Sequence, residues 1–121
     1  GESPRDAALR EVSEEIGIAA SEVRLLGHLP AINTSTGFIV EPWLGVLPTL
    51  PRLTIDQGEV ASVLSVPLWH LLSARMRRSE YWQLRGRKQY LHFIPVGERL
   101  IWGASAEMLY RLACQLDLPM L

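Results

Sequence analysis

Apolar residues recur over the first sixteen positions with the period of a helix, and both ends of that stretch carry stop signals. Ser3-Pro4-Arg5-Asp6 is a helix start: Ser3 can accept a free backbone N–H as N-cap, Pro4 has its φ preset for the first position, and Asp6 completes a capping box. Residues 7–16 contain nothing a helix rejects, and Gly17 reads as the left-handed stop. Turning about 100° per residue places Leu9, Val12 and Ile16 on one narrow apolar stripe, which should dock on a sheet or core. Glu11, Glu14 and Glu15 share the roughly opposite face, flanked by the small Ala7 and Ala8.

Farther along, residues 23–29 and 37–47 read as strands, with a polar loop over 30–36 between them. Pro42 inside the second run predicts a bulge, an edge or a break, because it has no N–H for a ladder. Residues 48–58 form a Pro-containing loop, and the apolar stretch 60–66 reads as a strand. Pro67 opens a short helix over 68–74 at its first position. Residues 81–84 and 88–94 suggest a hairpin around Gly86. The last element is a helix over 104–116 with Ala106, Leu109, Tyr110, Ala113 and Leu116 on its apolar face.

Composition narrows the class. The 121 residues are 48% hydrophobic and 21% charged, which suits a packed domain and argues against disorder. Twelve Lys and Arg against 13 Asp and Glu leave a net charge of −1, without the basic surplus of a nucleic-acid domain. Gly, Pro or a charge interrupts every apolar run before it reaches membrane-spanning length. With Cys114 alone, neither an internal disulfide nor a multi-cysteine zinc site is available, and a reducing compartment is expected.

The acidic helix face asks for an explanation. Like charges at these spacings repel by about 0.2–0.5 kcal/mol per pair, and no Lys follows to relieve them. They also lie toward the helix C-terminus, where the macrodipole disfavours negative charge. A divalent cation would remove both penalties, so the three carboxylates form a candidate Mg²⁺ or Mn²⁺ site; the plainer alternative is a solvated acidic face. Arg85, Arg87 and Lys88 cluster at the hairpin turn, where they could meet a phosphate or simply face water. His28, His70 and His92 lack ligand spacing and are expected to be structural or solvent-facing. Cys114 is expected in the core, and Trp43, Trp69, Trp82 and Trp102 in packing. Trp102-Gly103 precedes a helix whose first N–H groups could face an anion.

Glu2 followed by Arg10-Glu11-Val12-Ser13-Glu14-Glu15-Ile16-Gly17-Ile18 resembles the Nudix box, the loop–helix–loop motif of Nudix hydrolases. That pattern runs Gly, five residues, Glu, seven residues, then Arg-Glu-apolar-x-Glu-Glu-x-Gly-apolar, and eight of its nine defined positions are present. The ninth, the opening Gly, would fall before Gly1. Leu26-Gly27-His28-Leu29-Pro30, Thr36-Gly37-Phe38-Ile39-Val40-Glu41-Pro42, Glu59-Val60, Val66-Pro67-Leu68 and Ile101-Trp102-Gly103-Ala104-Ser105-Ala106 are similar to the coenzyme A pyrophosphatase branch. Glu41 and Ser105 stand where that branch usually has Thr.

The resemblance implies an α/β fold, an α/β/α sandwich with a mixed sheet, and one domain over residues 1–121 that lacks its first strands. Residues 1–121 alone should then leave part of the Leu9–Val12–Ile16 stripe uncovered. The implied chemistry is metal-dependent hydrolysis of coenzyme A or a derivative to 3′,5′-ADP and 4′-phosphopantetheine. The alternatives are hydrolysis of another nucleoside diphosphate such as ADP-ribose or NADH, or a Nudix-like binding module without catalysis. Glu11 and Glu15 would be the principal ligands of Mg²⁺ or Mn²⁺, and Glu14 a third or water-bridged one. Arg10 would pair with a box carboxylate, Glu2 being the candidate, and Gly17 closes the motif. Glu59, after the flexible Gly58, would serve as an extra ligand or as the base that activates water, with Glu14 its rival. The partners expected are a small nucleotide substrate and, as an option, a second copy in a homodimer, with no nucleic acid or membrane, in the cytoplasm.

Overall fold

A computed structural model describes residues 1–34 and 36–116. Helix α1 (Pro4–Ile16) starts and stops where the local chemistry requires. Ser3 Oγ accepts the Asp6 N–H at 3.1 Å, and Gly17 closes the helix at φ 77, its N–H bonded to the Ser13 carbonyl. Only glycine enters that left-handed region without penalty. Gly17 is also required for space, since a Cβ there would lie 2.9 Å from Thr54 Cβ and 3.0 Å from Thr54 N. The Asp6 carboxylate turns to Arg5, 3.1 Å away.

The remaining elements, in chain order, are a 3-10 turn (Ala20–Glu22), β1 (Arg24–His28), β2 (Ile32–Asn33), β3 (Ile39–Val40), β4 (Trp43–Val46), α2 (Leu68–Leu72), β5 (Arg78–Leu84), β6 (Arg87–Val96), β7 (Arg99–Ile101) and α3 (Gly103–Gln115). This mixture of helices and strands is that of the α/β class. Every ladder among the described residues is antiparallel, so the parallel pairing of a mixed sheet is not seen within them.

The chain divides into two compact units. The first comprises residues 1–28 and 41–64 and contains α1, β1 and β4. β1 pairs with β4 across a bulge between Leu25 and Gly27, which leaves Leu26 exposed. The long strand expected over 37–47 is broken at Glu41-Pro42, with Pro42 buried. The half before the break, β3, pairs with β2, so Ile32-Asn33 forms a short ladder where a loop was expected.

The strand expected over 60–66 does not form. A strand needs a ladder partner as well as apolar side chains; this stretch has none among the described residues, and positions 61–65 are exposed. Upstream of it, the loop backbone bonds to α1 instead: Thr54 N–H donates to the Ile16 carbonyl at 3.0 Å, and Asp56 N–H to the Glu15 carbonyl at 2.8 Å. Carbonyls in the last turn of a helix have no partner within it, and this loop supplies one for each. The apolar stripe of α1 is half-buried at Leu9, Val12 and Ile16, and no α1 residue is fully buried.

The second unit comprises residues 29–40 and 65 onward. Its sheet runs β5–β6–β7, and β5 begins at Arg78, earlier than expected, because Arg78, Ser79 and Glu80 pair with Phe93, His92 and Leu91. The β5–β6 connection is the two-residue turn Arg85-Gly86, with φ 50 and 75. Positive φ at both positions is the mark of a type I′ turn, whose twist matches the strands. Arg85 is the one non-glycine residue with positive φ among those described, a conformation that costs an L-residue ~1–2 kcal/mol.

Three consecutive residues of β6, His92, Phe93 and Ile94, are buried, so both faces of the strand are covered. Ile94 is fully enclosed, and α3 packs along the strand with Ala106 and Ala113 buried. Leu109 and Tyr110 are half-buried, while Leu116 is exposed. Cys114, expected in the core, is exposed instead: it lies one position past the inward-facing Ala113, and one helical step turns it outward. Trp69, Trp82 and Trp102 are likewise largely exposed. Helix α2 is shorter than the 68–74 expected, and Pro67 stands just before it as its N-cap. His70 Nε2 donates to the Pro95 carbonyl at 2.7 Å. No helix among the described residues is long and apolar enough to cross a membrane.

Candidate functional site

The box residues of α1 are organised by one guanidinium. Arg10 grips Glu2 with two prongs, Nε to Oε2 at 2.9 Å and Nη2 to Oε1 at 3.0 Å. Its remaining prong, Nη1, donates to Glu14 Oε2 at 3.0 Å. Fork-to-fork pairing of this kind fixes direction as well as distance. Arg10 thus ties the segment before the helix to the helix face, and the bonds to Glu2 and then Glu14 raise its pKa further.

Glu14 is therefore already engaged on one oxygen. Glu11 is exposed and Glu15 half-buried, and among the described residues neither forms an ion pair. No three carboxylates, imidazoles or thiols converge closely enough to hold a metal ion among the described residues, so the expected trio is not drawn together. The donor set is nonetheless all carboxylate oxygen, the hard type that suits Mg²⁺ and Mn²⁺. Mg²⁺ is commonly held by one or two carboxylates, with waters and substrate phosphates completing the shell. Glu11 and Glu15, one helical turn apart, are two carboxylates that could serve in this way without Glu14.

Glu59 lies in the Gln57–Glu59 turn, exposed, and not at the mouth of a strand. The turn is tight: Glu59 N–H and Val60 N–H both donate to the Asp56 carbonyl, at 3.0 and 2.8 Å, and Gly58 N–H donates to Asp56 Oδ1 at 3.0 Å. Asp56 itself is bonded to the Glu15 carbonyl. The loop carrying Glu59 is thereby anchored by its backbone to the residue that carries a candidate ligand.

The second unit holds a polar group of residues that spacing gave no reason to connect. His92 is buried; its Nδ1 lies 2.7 Å from Ser79 Oγ and its Nε2 3.5 Å from Glu107 Oε2. Its ring stacks on Tyr110 at 3.8 Å, and Arg77 covers Tyr110 at 4.7 Å. Burial lowers the His92 pKa, with Glu107 opposing the shift and Arg77 adding to it. Glu107 also accepts from Arg111 Nε at 2.8 Å. Apart from Arg77, which directly precedes β5, these residues come from β5, β6 and α3, so the pairing of β5 with β6 and the packing of α3 bring them together. His28 lies 3.7 Å from Glu41 and beside Trp43.

A family model for the NUDIX domain matches residues 1–84. Over 110 residues the chain is 36% identical to an uncharacterized Nudix hydrolase NudL of Photorhabdus laumondii, covering 91% of this chain and 59% of that protein. Proteins of the same description from Yersinia enterocolitica and Citrobacter koseri are 35% and 33% identical, covering 93% and 91% of this chain and 58% and 57% of theirs. The chain thus spans less than two thirds of the length of these relatives. By the extent of the NUDIX match and by these identities, the chain belongs to the Nudix family.

Proposed function

We propose that the protein is a metal-dependent pyrophosphohydrolase that cleaves the diphosphate of coenzyme A or its derivatives to 3′,5′-ADP and 4′-phosphopantetheine. The observation that carries the reading is the grip of Arg10 on Glu2 and Glu14, which leaves Glu11 and Glu15 unpaired among the described residues and one turn apart. Nothing in the packing of a helix calls for that arrangement, whereas ion binding does.

Glu11 and Glu15 would hold a divalent ion, Mg²⁺ or Mn²⁺, with the second oxygen of Glu14 in reserve. Once bound, such an ion neutralises diphosphate oxygens and makes water a better nucleophile. Arg10 orients the helix face by fixing Glu2 and Glu14. Glu59 accepts the proton of the attacking water on its carboxylate, with Glu14 as the rival base. The choice of coenzyme A rests on the resemblance of the segments around Gly27, Gly37, Val66 and Trp102 to that branch. One domain working in the cytoplasm is part of the same reading.

The test is a substrate panel with Mg²⁺ or Mn²⁺, following release of 3′,5′-ADP from coenzyme A beside hydrolysis of ADP-ribose and NADH. Release from coenzyme A alone supports the proposal. Hydrolysis of only the other two keeps the enzyme and rejects the substrate. Binding without turnover, unchanged in Glu15→Gln, would leave a binding module.

A further inference from the structure

The tip of the β5–β6 hairpin has a chemistry that the box helix does not account for. Arg85, Arg87 and Lys88 line a cavity of about 390 Å³ in the second unit, together with Asn33, Thr34 and Gly37. No carboxylate lines it. Among the described residues none of these three cations forms an ion pair. A chain whose net charge is −1 thus gathers three unneutralised cations around one concavity. Lys88 Nζ lies over the Tyr81 ring, 4.5 Å from the centroid, which holds its charge at the hairpin.

The backbone adds an independent observation. Arg85 occupies the first position of a type I′ turn, where Asn, Asp or Gly would enter the left-handed region more easily. An unfavourable residue at a turn is a pointer from strain to function when its side chain has a task. Here Arg85 is one of the residues that line the cavity.

We propose that this cavity binds a phosphate group of a small molecule, independently of a metal ion and of the box carboxylates. Two guanidinium forks match the oxygens of a phosphate, and Lys88 adds a point charge. Asn33, which also lines the cavity, carries a neutral amide. The phosphate can be a terminal monoester or part of a diphosphate. Both present the same oxygens.

The experiment follows backbone amide resonances of the full chain in EDTA, at ionic strength held constant with sodium chloride, while inorganic phosphate or inorganic pyrophosphate is added. Saturable shifts confined to residues 85–89, Asn33 and Thr34 are expected. Tighter binding of pyrophosphate assigns the site to a diphosphate, and equal or tighter binding of phosphate assigns it to a monoester. The double variant Arg85→Asn, Lys88→Gln should weaken binding about tenfold or more, on the scale of lost charged hydrogen bonds. It should retain the hairpin, because Asn tolerates the left-handed position. Non-saturating shifts with both anions, or a folded double variant that binds as the parent does, would overturn the proposal. Because metal is absent throughout, the result is separate from the fate of the pyrophosphohydrolase reading.

Discussion

In the unit that carries the box helix, Ile18 and Pro42 are the only buried apolar residues among those described. The unit built on β6 buries Ile32, Leu72, Phe93, Ile94, Ala106 and Ala113. The first unit is held by directional polar contacts: a capped helix, the Arg10 fork, and two loop N–H groups on the last turn of α1. The second is held by apolar area removed from water, which stabilises a fold more than polar contacts do. The contrast separates two tasks. Carboxylates that must meet a charged ligand cannot be buried with their neighbours, so their placement depends on hydrogen bonds.

The largest effect expected from this contrast is on the apolar side. Ile94→Ala should cost about 4 kcal/mol, since it empties a fully enclosed position. Denaturant unfolding measures it, and a loss under about 1 kcal/mol would mean that the core is not centred there. Next comes Glu15→Gln, which should slow hydrolysis by roughly 10²-fold with an unchanged unfolding midpoint. A parallel fall in stability would blur the division of tasks. Gly17→Ala is a milder case: the left-handed φ costs ~1–2 kcal/mol, and contact with Thr54 adds to it. Faster amide exchange at Thr54 and Asp56 is the expected signature, and unaltered exchange would show that the joint yields without opening.

The smallest effect is a pH dependence of the second unit. His92 has its pKa lowered below the ordinary 6.5, chiefly by burial, so the folded state favours the neutral ring. The unfolded chain takes up the proton first as pH falls. The His92 contribution is therefore complete above pH 6.5 and is lost as pH drops toward the folded value. Unfolding midpoints across that range should fall for the parent and fall less in His92→Gln. Equal slopes would assign the loss to other groups.

How much of this could be read in advance follows the range of the interactions. The bounds of α1 were legible because Ser3, Pro4 and Gly17 act within four residues of the backbone groups they satisfy or stop. The box face was legible for the same reason, the helix period being local. Pairing with β3 makes Ile32-Asn33 a strand, and missing ladder partners leave 60–66 irregular; neither partner is encoded in the segment itself. Cys114 was misplaced by a single helical step. The group around His92 was invisible, since Ser79, His92 and Glu107 lie on three elements with no shared spacing.

The joint between α1 and residues 54–56 runs entirely through main-chain atoms. It is therefore blind to which side chains stand at those two positions, apart from proline, which lacks the N–H. What it constrains is the register of residues 54–56 against the last turn of α1. Point changes at exposed neighbours such as Arg52 and Ile55 leave those two bonds in place, while a one-residue deletion near position 53 would pull both donors out of register. A rule of this kind leaves its mark at Gly17, the residue whose missing Cβ lets Thr54 approach.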